Sequence, residues 1–171
     1  MISKPRKDEY ASYYENYISK MTGPDIKSDL ARQPQELREA LAGVPEEKGT
    51  FAYADGKWTV KELLSHIIDG ERIFAYRAHR ISRGDTTPLE GFEQDDYIAN
   101  SNANERSFAS LLDEFDLQRR SNLLMLEKVD DAAAARMGTA SGNPVSARAI
   151  IYILGGHVSH HLSILRERYL A

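Results

Sequence analysis

Three of the five histidines in this chain of 171 residues fall within one run, GHVSHH, as His157, His160 and His161. His157 and His161 are four residues apart, so on a helix one turn separates them and both can reach a single ion. At about 100° per residue, Ile150, Ile153, Leu154, Ile164 and Leu165 define an apolar stripe, with His157 and His161 near its centre and His160 toward its rim. The pair is therefore expected to point into the interior. Buried imidazoles need partners, because an unsatisfied polar group in a core costs about 1–3 kcal/mol. Two readings follow: core histidines hydrogen-bonded to other helices, or two ligands of a divalent ion. A third imidazole favours the second reading. His66 is the natural choice, at the edge of the apolar stripe of its own helix, with Gly70 one turn further leaving the volume above it open. Three neutral imidazoles with one open coordination position form the arrangement of catalytic zinc sites.

The other polar candidates have ordinary roles to weigh against chemistry. His79 lies in RAHRIS at a helix C-terminus, where the dipole favours its protonated form. His160 reads as a surface or supporting residue. Glu62, four residues before His66, is better explained as a helix cap than as a ligand. The chain has no cysteine, which excludes disulfides, thiolate metal sites and a cysteine nucleophile. With 22 Lys+Arg, 26 Asp+Glu and a net charge of −4, it has no basic block, so nucleic acid is not an expected partner. No apolar run approaches the roughly 20 residues of a membrane span, and MISKPRKDEYASYY lacks the apolar core of a secretory signal. A cytoplasmic protein is expected.

The elements that must position these residues are helical. Residues 1–9 read as a loose arm or an extension of the first helix. Tyr10, Tyr13, Tyr14, Tyr17, Ile18 and Met21 recur at helical spacing, which favours core packing over a special surface. A second stretch runs through Ile26, Leu30, Leu37, Leu41 and Val44, with a kink or restart expected at Pro34. Thr59 and Glu62 form a capping box, and Trp58 with Leu63 a hydrophobic staple, at the start of WTVKELLSHIIDGERIFAYRAHRIS. From residue 84 to 106 no period is sustained, and so long a connection marks a lid or pocket wall. Ser107 caps a helix carrying Phe108, Leu111, Leu112, Phe115, Leu123 and Leu126, and Asn143-Pro144 reads as the cap and first position of the last helix. No strand run stands out. The expected class is all-α, a four-helix bundle in one domain over residues 1–171, with the long connection between its second and third helices.

The segments WTVKELLSHIIDGERIFAYRAHRISRGD, GFEQDDY, GTASGNPVS and GHVSHHLSILRERYL, in that order, resemble the DinB-like superfamily, which includes the bacillithiol- and mycothiol-dependent transferases. The resemblance covers most of the chain from about Tyr10. It implies a four-helix bundle of unusual connection order, frequently homodimeric, with a divalent metal held by one histidine of the second helix and an HxxxH pair of the last. Those positions are His66, His157 and His161. It also implies attack by a low-molecular-weight thiol on a small-molecule electrophile, so that the missing thiol arrives with the cosubstrate.

The functional expectation is a metal-dependent thiol S-transferase or related hydrolase with one divalent ion per chain, zinc or nickel. The alternative is a non-catalytic metal- or ligand-binding stress-response module. A carboxylate-bridged dimetal site ranks last, because the chain has no Glu-x-x-His pair. Beyond the ligands, Tyr76 and Arg80 could line the site entrance, with packing and surface roles as alternatives. Asp95 and Asp96 could orient a ligand histidine or act as a base, against the plain reading of solvated loop charge.

Overall fold

Asp25, Thr59, Ser107 and Ser146 each stand before an apolar run, and the side chain of each accepts a hydrogen bond from the backbone N–H three residues on. These caps start the four long helices of the computed structural model, which describes residues 1–171. In chain order the elements are α1 (Glu15–Ile18), α2 (Ile26–Leu41), α3 (Val60–Ser82), α4 (Gln94–Ala99), α5 (Phe108–Leu126), α6 (Asp131–Ala134), β1 (Met137–Ala140), β2 (Asn143–Ser146) and α7 (Ala147–Ile164). The expected capping box is present: Glu62 N–H donates to Thr59 Oγ1 at 3.1 Å, and Thr59 N–H to the Glu62 carboxylate at 2.7 Å.

The four long helices form a bundle in which α2 packs on α5 and α7, and α3 packs on the same two. Consecutive helices α2 and α3 are thus diagonal. The residues between them cross the end of the bundle, which is the unusual connection order. α7 is buried without interruption from Ala147 to Val158, because α1 and its flanks cover the side that α2 and α3 leave open. Gly156 permits this cover: a Cβ there would stand 2.1 Å from the Tyr17 carbonyl oxygen.

Several local expectations are corrected. The tyrosine-rich stretch is not one helix but a 3-10 turn (Ser12–Tyr14) and the single-turn α1, since the chain bends to follow α7. Tyr10 is core, Tyr13 is exposed, and Tyr14 and Tyr17 are half-buried. Residues 1–9 are fastened rather than loose: Ile2 is 1% exposed, and buried Glu9 accepts from Arg148 Nε at 2.6 Å and Ser146 Oγ at 2.8 Å. Residues 84–106 include α4 and a 3-10 turn at Ala103–Glu105, elements too short to leave a period in sequence. Asn143 and Pro144 lie in β2, and Ser146 is the cap. β1 and β2 form a hairpin whose turn residues Ser141 and Gly142 both have positive φ, 49° and 75°, as a type I′ turn demands.

Pro34 does not break α2, and the reason is a buried arginine. Proline lacks the N–H that would bond the Leu30 carbonyl. That carbonyl instead accepts from Arg119 Nη1 at 2.8 Å. Arg119 is 0% exposed, and it also donates to Gln33 Oε1 at 2.6 Å and, through two nitrogens, to both Glu71 oxygens at 2.8 and 2.7 Å. Gln33 continues the network to the Gly155 carbonyl at 2.7 Å and Ser159 Oγ at 3.0 Å. One connected set of bonds therefore ties α2, α3, α5 and α7 together.

Two stability predictions follow from these buried pairs. Arg119→Met strands the Glu71 carboxylate and the Leu30 carbonyl, and urea unfolding should show a loss of about 3–5 kcal/mol. In a Pro34→Ala background, where a backbone donor returns, the same substitution should cost about 1 kcal/mol less. Glu9 has its pKa held below 4.5 chiefly by hydrogen bonding to Arg148, against the opposing effect of burial. A carboxylate that binds its proton less readily folded than unfolded stabilises above the unfolded pKa and loses that contribution as pH falls through the folded one. Glu9→Gln should therefore cost about 3 kcal/mol at pH 7, and the gap between it and wild type should close as unfolding is measured toward pH 3.

Candidate metal centre

His66 stands in the second turn of α3, and His157 and His161 stand one turn apart in the second half of α7. The two helices pack side by side. All three histidines are buried. Their rings converge through the same atom: His66 Nε2 lies 2.9 Å from His157 Nε2 and 3.1 Å from His161 Nε2, and one ligand atom from each residue fits within 4.8 Å of the others. Burial holds all three neutral. It lowers His66 to about 4 and His161 to about 2, and it places His157 well below the ordinary histidine value.

This arrangement fits a metal ion better than a hydrogen-bonded core. A neutral ring carries one N–H, and a proton on His66 Nε2 can serve only one of its two neighbours at a time. Two nitrogens bound at 2.0–2.1 Å to a tetrahedral zinc ion stand about 3.3 Å apart, close to the separations seen here. Neutral imidazole donors also suit zinc, nickel, copper and iron alike. Nδ1 of His157 and of His161 are buried without hydrogen-bond partners. Ring orientation therefore rests on packing rather than on the acceptor that usually holds a ligand histidine. Tyr17 and Phe74 meet His157 edge-on at 5.6 and 5.5 Å between ring centroids, His160 meets His161 at 5.0 Å, and the one tryptophan, Trp58, lies 4.6 Å from His66. Gly70 makes the remaining room, since a Cβ there would stand 2.6 Å from Cε1 of His157.

Two cavities reach the cluster. One, of about 540 Å³, is lined by His66 and His157 together with Tyr14, Tyr17 and Arg77. The other, of about 350 Å³, is lined by His161, Trp58 and Tyr169. Gln94 and Asp95, at the start of α4, line both. Residues from the connection between α3 and α5 thus wall the site.

The remaining candidates are dispersed. Asp95 is exposed and makes no hydrogen bond to a histidine, but its charge favours protonation of His66 against the larger effect of burial. Asp96 faces a separate cavity beside Arg72 and Arg106. Tyr76 is exposed. Arg80 donates to the Tyr76 hydroxyl at 2.9 Å and pairs with Asp85, and both Tyr76 and Arg80 line a neighbouring cavity of about 490 Å³ rather than the one at the histidines. His160 lines the larger histidine cavity outside the converging set, and His79 is exposed away from it. Glu62 is occupied by its cap. The residue passed over is Arg77, buried and lining both the histidine cavity and the neighbouring one beside Tyr76 and Arg80.

The fold and family can now be compared. YfiT from Bacillus subtilis, described as a probable metal-dependent hydrolase with an unusual four-helix bundle topology, superposes with a TM-score of 0.77 at 15% identity, over 97% of this chain and 91% of that one. The mycothiol-dependent maleylpyruvate isomerase superposes with a TM-score of 0.67 at 15% identity, over 85% of this chain and 61% of that one. At these identities the shared property is the fold. No curated protein matches by sequence. The DinB superfamily model matches residues 29–165, a span that takes in all three converging histidines and all of the four long helices but the first three residues of α2, and the chain belongs to that superfamily.

Proposed function

We propose that this protein is a metal-dependent thiol S-transferase or related hydrolase acting on a small molecule, with one divalent ion, zinc or nickel, held by Nε2 of His66, His157 and His161. The observation that carries this reading is the convergence of three buried, neutral imidazoles at 2.9 and 3.1 Å beside a cavity large enough for a small substrate. The names of the two structural neighbours, one a metal-dependent hydrolase and one a mycothiol-dependent isomerase, support it. A divalent ion in such a site supplies Lewis acidity, lowering the pKa of a thiol or water presented to it.

The chain's own residues do the rest. His66, His157 and His161 stay neutral because burial opposes their protonation, so their lone pairs remain available at neutral pH. Tyr17, Phe74 and Trp58 pack against the rings and give the cavities that reach them apolar walls. Asp95, whose charge acts on His66, is a carboxylate of the cavity wall placed to act as a base or to attract a cationic group. Tyr76 and Arg80 stand one cavity away, where they could meet only the far end of a large substrate. The reading also includes the cytoplasmic homodimer expected from the sequence.

Protein purified without a histidine tag should carry about one divalent ion per chain by elemental analysis, and the double variant His157→Ala, His161→Ala should lose it. His160→Ala should keep near-normal metal content, and loss equal to that of His157→Ala would show that the wrong pair had been chosen. A folded, metal-free wild type that takes up no added zinc or nickel would sink the proposal. Turnover of electrophiles with a panel of low-molecular-weight thiols separates transferase from hydrolase, and metal without either activity favours a binding module. Gly70→Ala should displace the His157 ring and weaken metal affinity about 10–100-fold, measured by competition with a chelator, while circular dichroism stays unchanged.

A further inference from the structure

Arg77 is 4% exposed and has no carboxylate partner. That sets it apart from the two other buried arginines described above, Arg119 and Arg148, each of which holds a buried glutamate. Its Nη2 donates to the Glu90 carbonyl at 2.6 Å and to Ser141 Oγ at 3.1 Å, and no protein acceptor meets Nε or Nη1. Neither nitrogen is among the buried polar atoms left without a partner, so both reach the open space that Arg77 lines and stay available to an anion there.

The placement is built rather than incidental. Ser141 is one of only two non-glycine residues with positive φ, and the hairpin turn that imposes this conformation also aims its hydroxyl at Arg77. The Ser141 N–H donates to the Leu89 carbonyl at 2.9 Å, so the turn is pinned from the other side as well. Both Arg77 and Ser141 line the same cavity as His66 and His157.

Arg77 follows His66 by eleven residues on α3, three turns and nearly the same face. Their Cα atoms are about 16 Å apart along the helix, and the reach of the longer arginine side chain leaves a gap on the order of 10 Å. Phe74 stands between them with its ring against His157, giving the middle of the cavity an apolar wall. Glu93 and Asp95 also line the cavity, but both are exposed at the start of α4, and neither pairs with Arg77.

We infer that this cavity takes a small molecule bearing a carboxylate, its anionic end held by a free guanidinium N–H of Arg77 beside Ser141 and its reactive end at the three histidines. With Nη2 held by Glu90 and Ser141, the donors left to a carboxylate are Nε–H and the Nη1 hydrogens, which point to different sides of the group, so each makes a single charge-assisted bond. The apolar span between the two ends selects a ligand with an aliphatic or aromatic middle. This inference rests on the metal-dependent reading for the reactive end only; the anionic end stands on Arg77.

The test compares 6-mercaptohexanoate with 6-mercaptohexanol by isothermal titration into zinc-loaded protein, then hexanoate with hexanol into metal-free protein. Wild type should prefer the carboxylate at least tenfold in the first pair. Arg77→Gln should bring the two thiols within about twofold while retaining its metal. Arg77→Lys should keep part of the preference, and Ser141→Ala should reduce it severalfold. Equal affinities in wild type, or an unchanged preference in Arg77→Gln, would overturn the assignment, and the wild-type comparison decides even if a variant fails to fold. A carboxylate preference in metal-free protein with no gain from the thiol on zinc loading would overturn the metal-dependent reading while leaving Arg77 assigned.

Discussion

The bundle depends on one buried guanidinium. Arg119 gives its donors to both oxygens of Glu71, to Gln33 and to the carbonyl that Pro34 leaves unbonded. Removing any one acceptor would leave a donor unsatisfied where water cannot reach it, so the set behaves as a unit. Through Gln33 it reaches the Gly155 carbonyl and Ser159, two residues before and two after His157. The register of α7 against α2 and α3 is thus set by polar bonds with little freedom to slide. A purely apolar seam would tolerate small shifts, and the three-histidine cluster would not, because its separations already lie within a few tenths of an ångström of those a tetrahedral ion needs.

A second constraint is space. Three rings and the segment around Tyr17 converge on the middle of α7, and two glycines supply the room: Gly156 lets the Tyr17 backbone approach, and Gly70 lets His157 turn toward α3. All three histidines are buried, so the neutral state of the imidazoles is maintained by burial rather than by a hydrogen-bonding partner. Desolvation of this kind raises the cost of leaving the lone pairs empty-handed, and a bound cation offsets it.

The histidines were legible in sequence because their information is local: a four-residue spacing, an apolar stripe that fixes the face, and a third ring on a well-capped helix. Caps at Thr59 and Ser107 were legible for the same reason. What escaped depends on contacts between distant segments. Pro34 reads as a break until Arg119, 85 residues later, is seen to satisfy the orphaned carbonyl. Asn143-Pro144 reads as a helix start until the positive φ of Ser141 and Gly142 turns the chain into a hairpin. The first nine residues read as loose because nothing near them in sequence hints at Arg148. Arg77 was within reach, being eleven residues from His66, but the four-residue pair Tyr76 and Arg80 drew attention to the neighbouring face instead.

Rigid and adaptable parts of the molecule are divided by function. The three converging histidines project from α3 and α7, long helices held in register by buried bonds. The cavity walls come from the start of α4, the hairpin turn and the tyrosine-rich segment, all of them short or irregular. Substitutions in such walls change shape and charge without disturbing the helix packing that places the rings. A fold shared at 15% identity with proteins of different named activities is what that division permits. Arg77 is an exception among the lining residues, a cation carried on α3 itself and fixed by bonds to Glu90 and to Ser141 of the hairpin turn. On the proposed reading, residues outside the histidine set select what binds, and the three histidines determine only where its reactive end must sit.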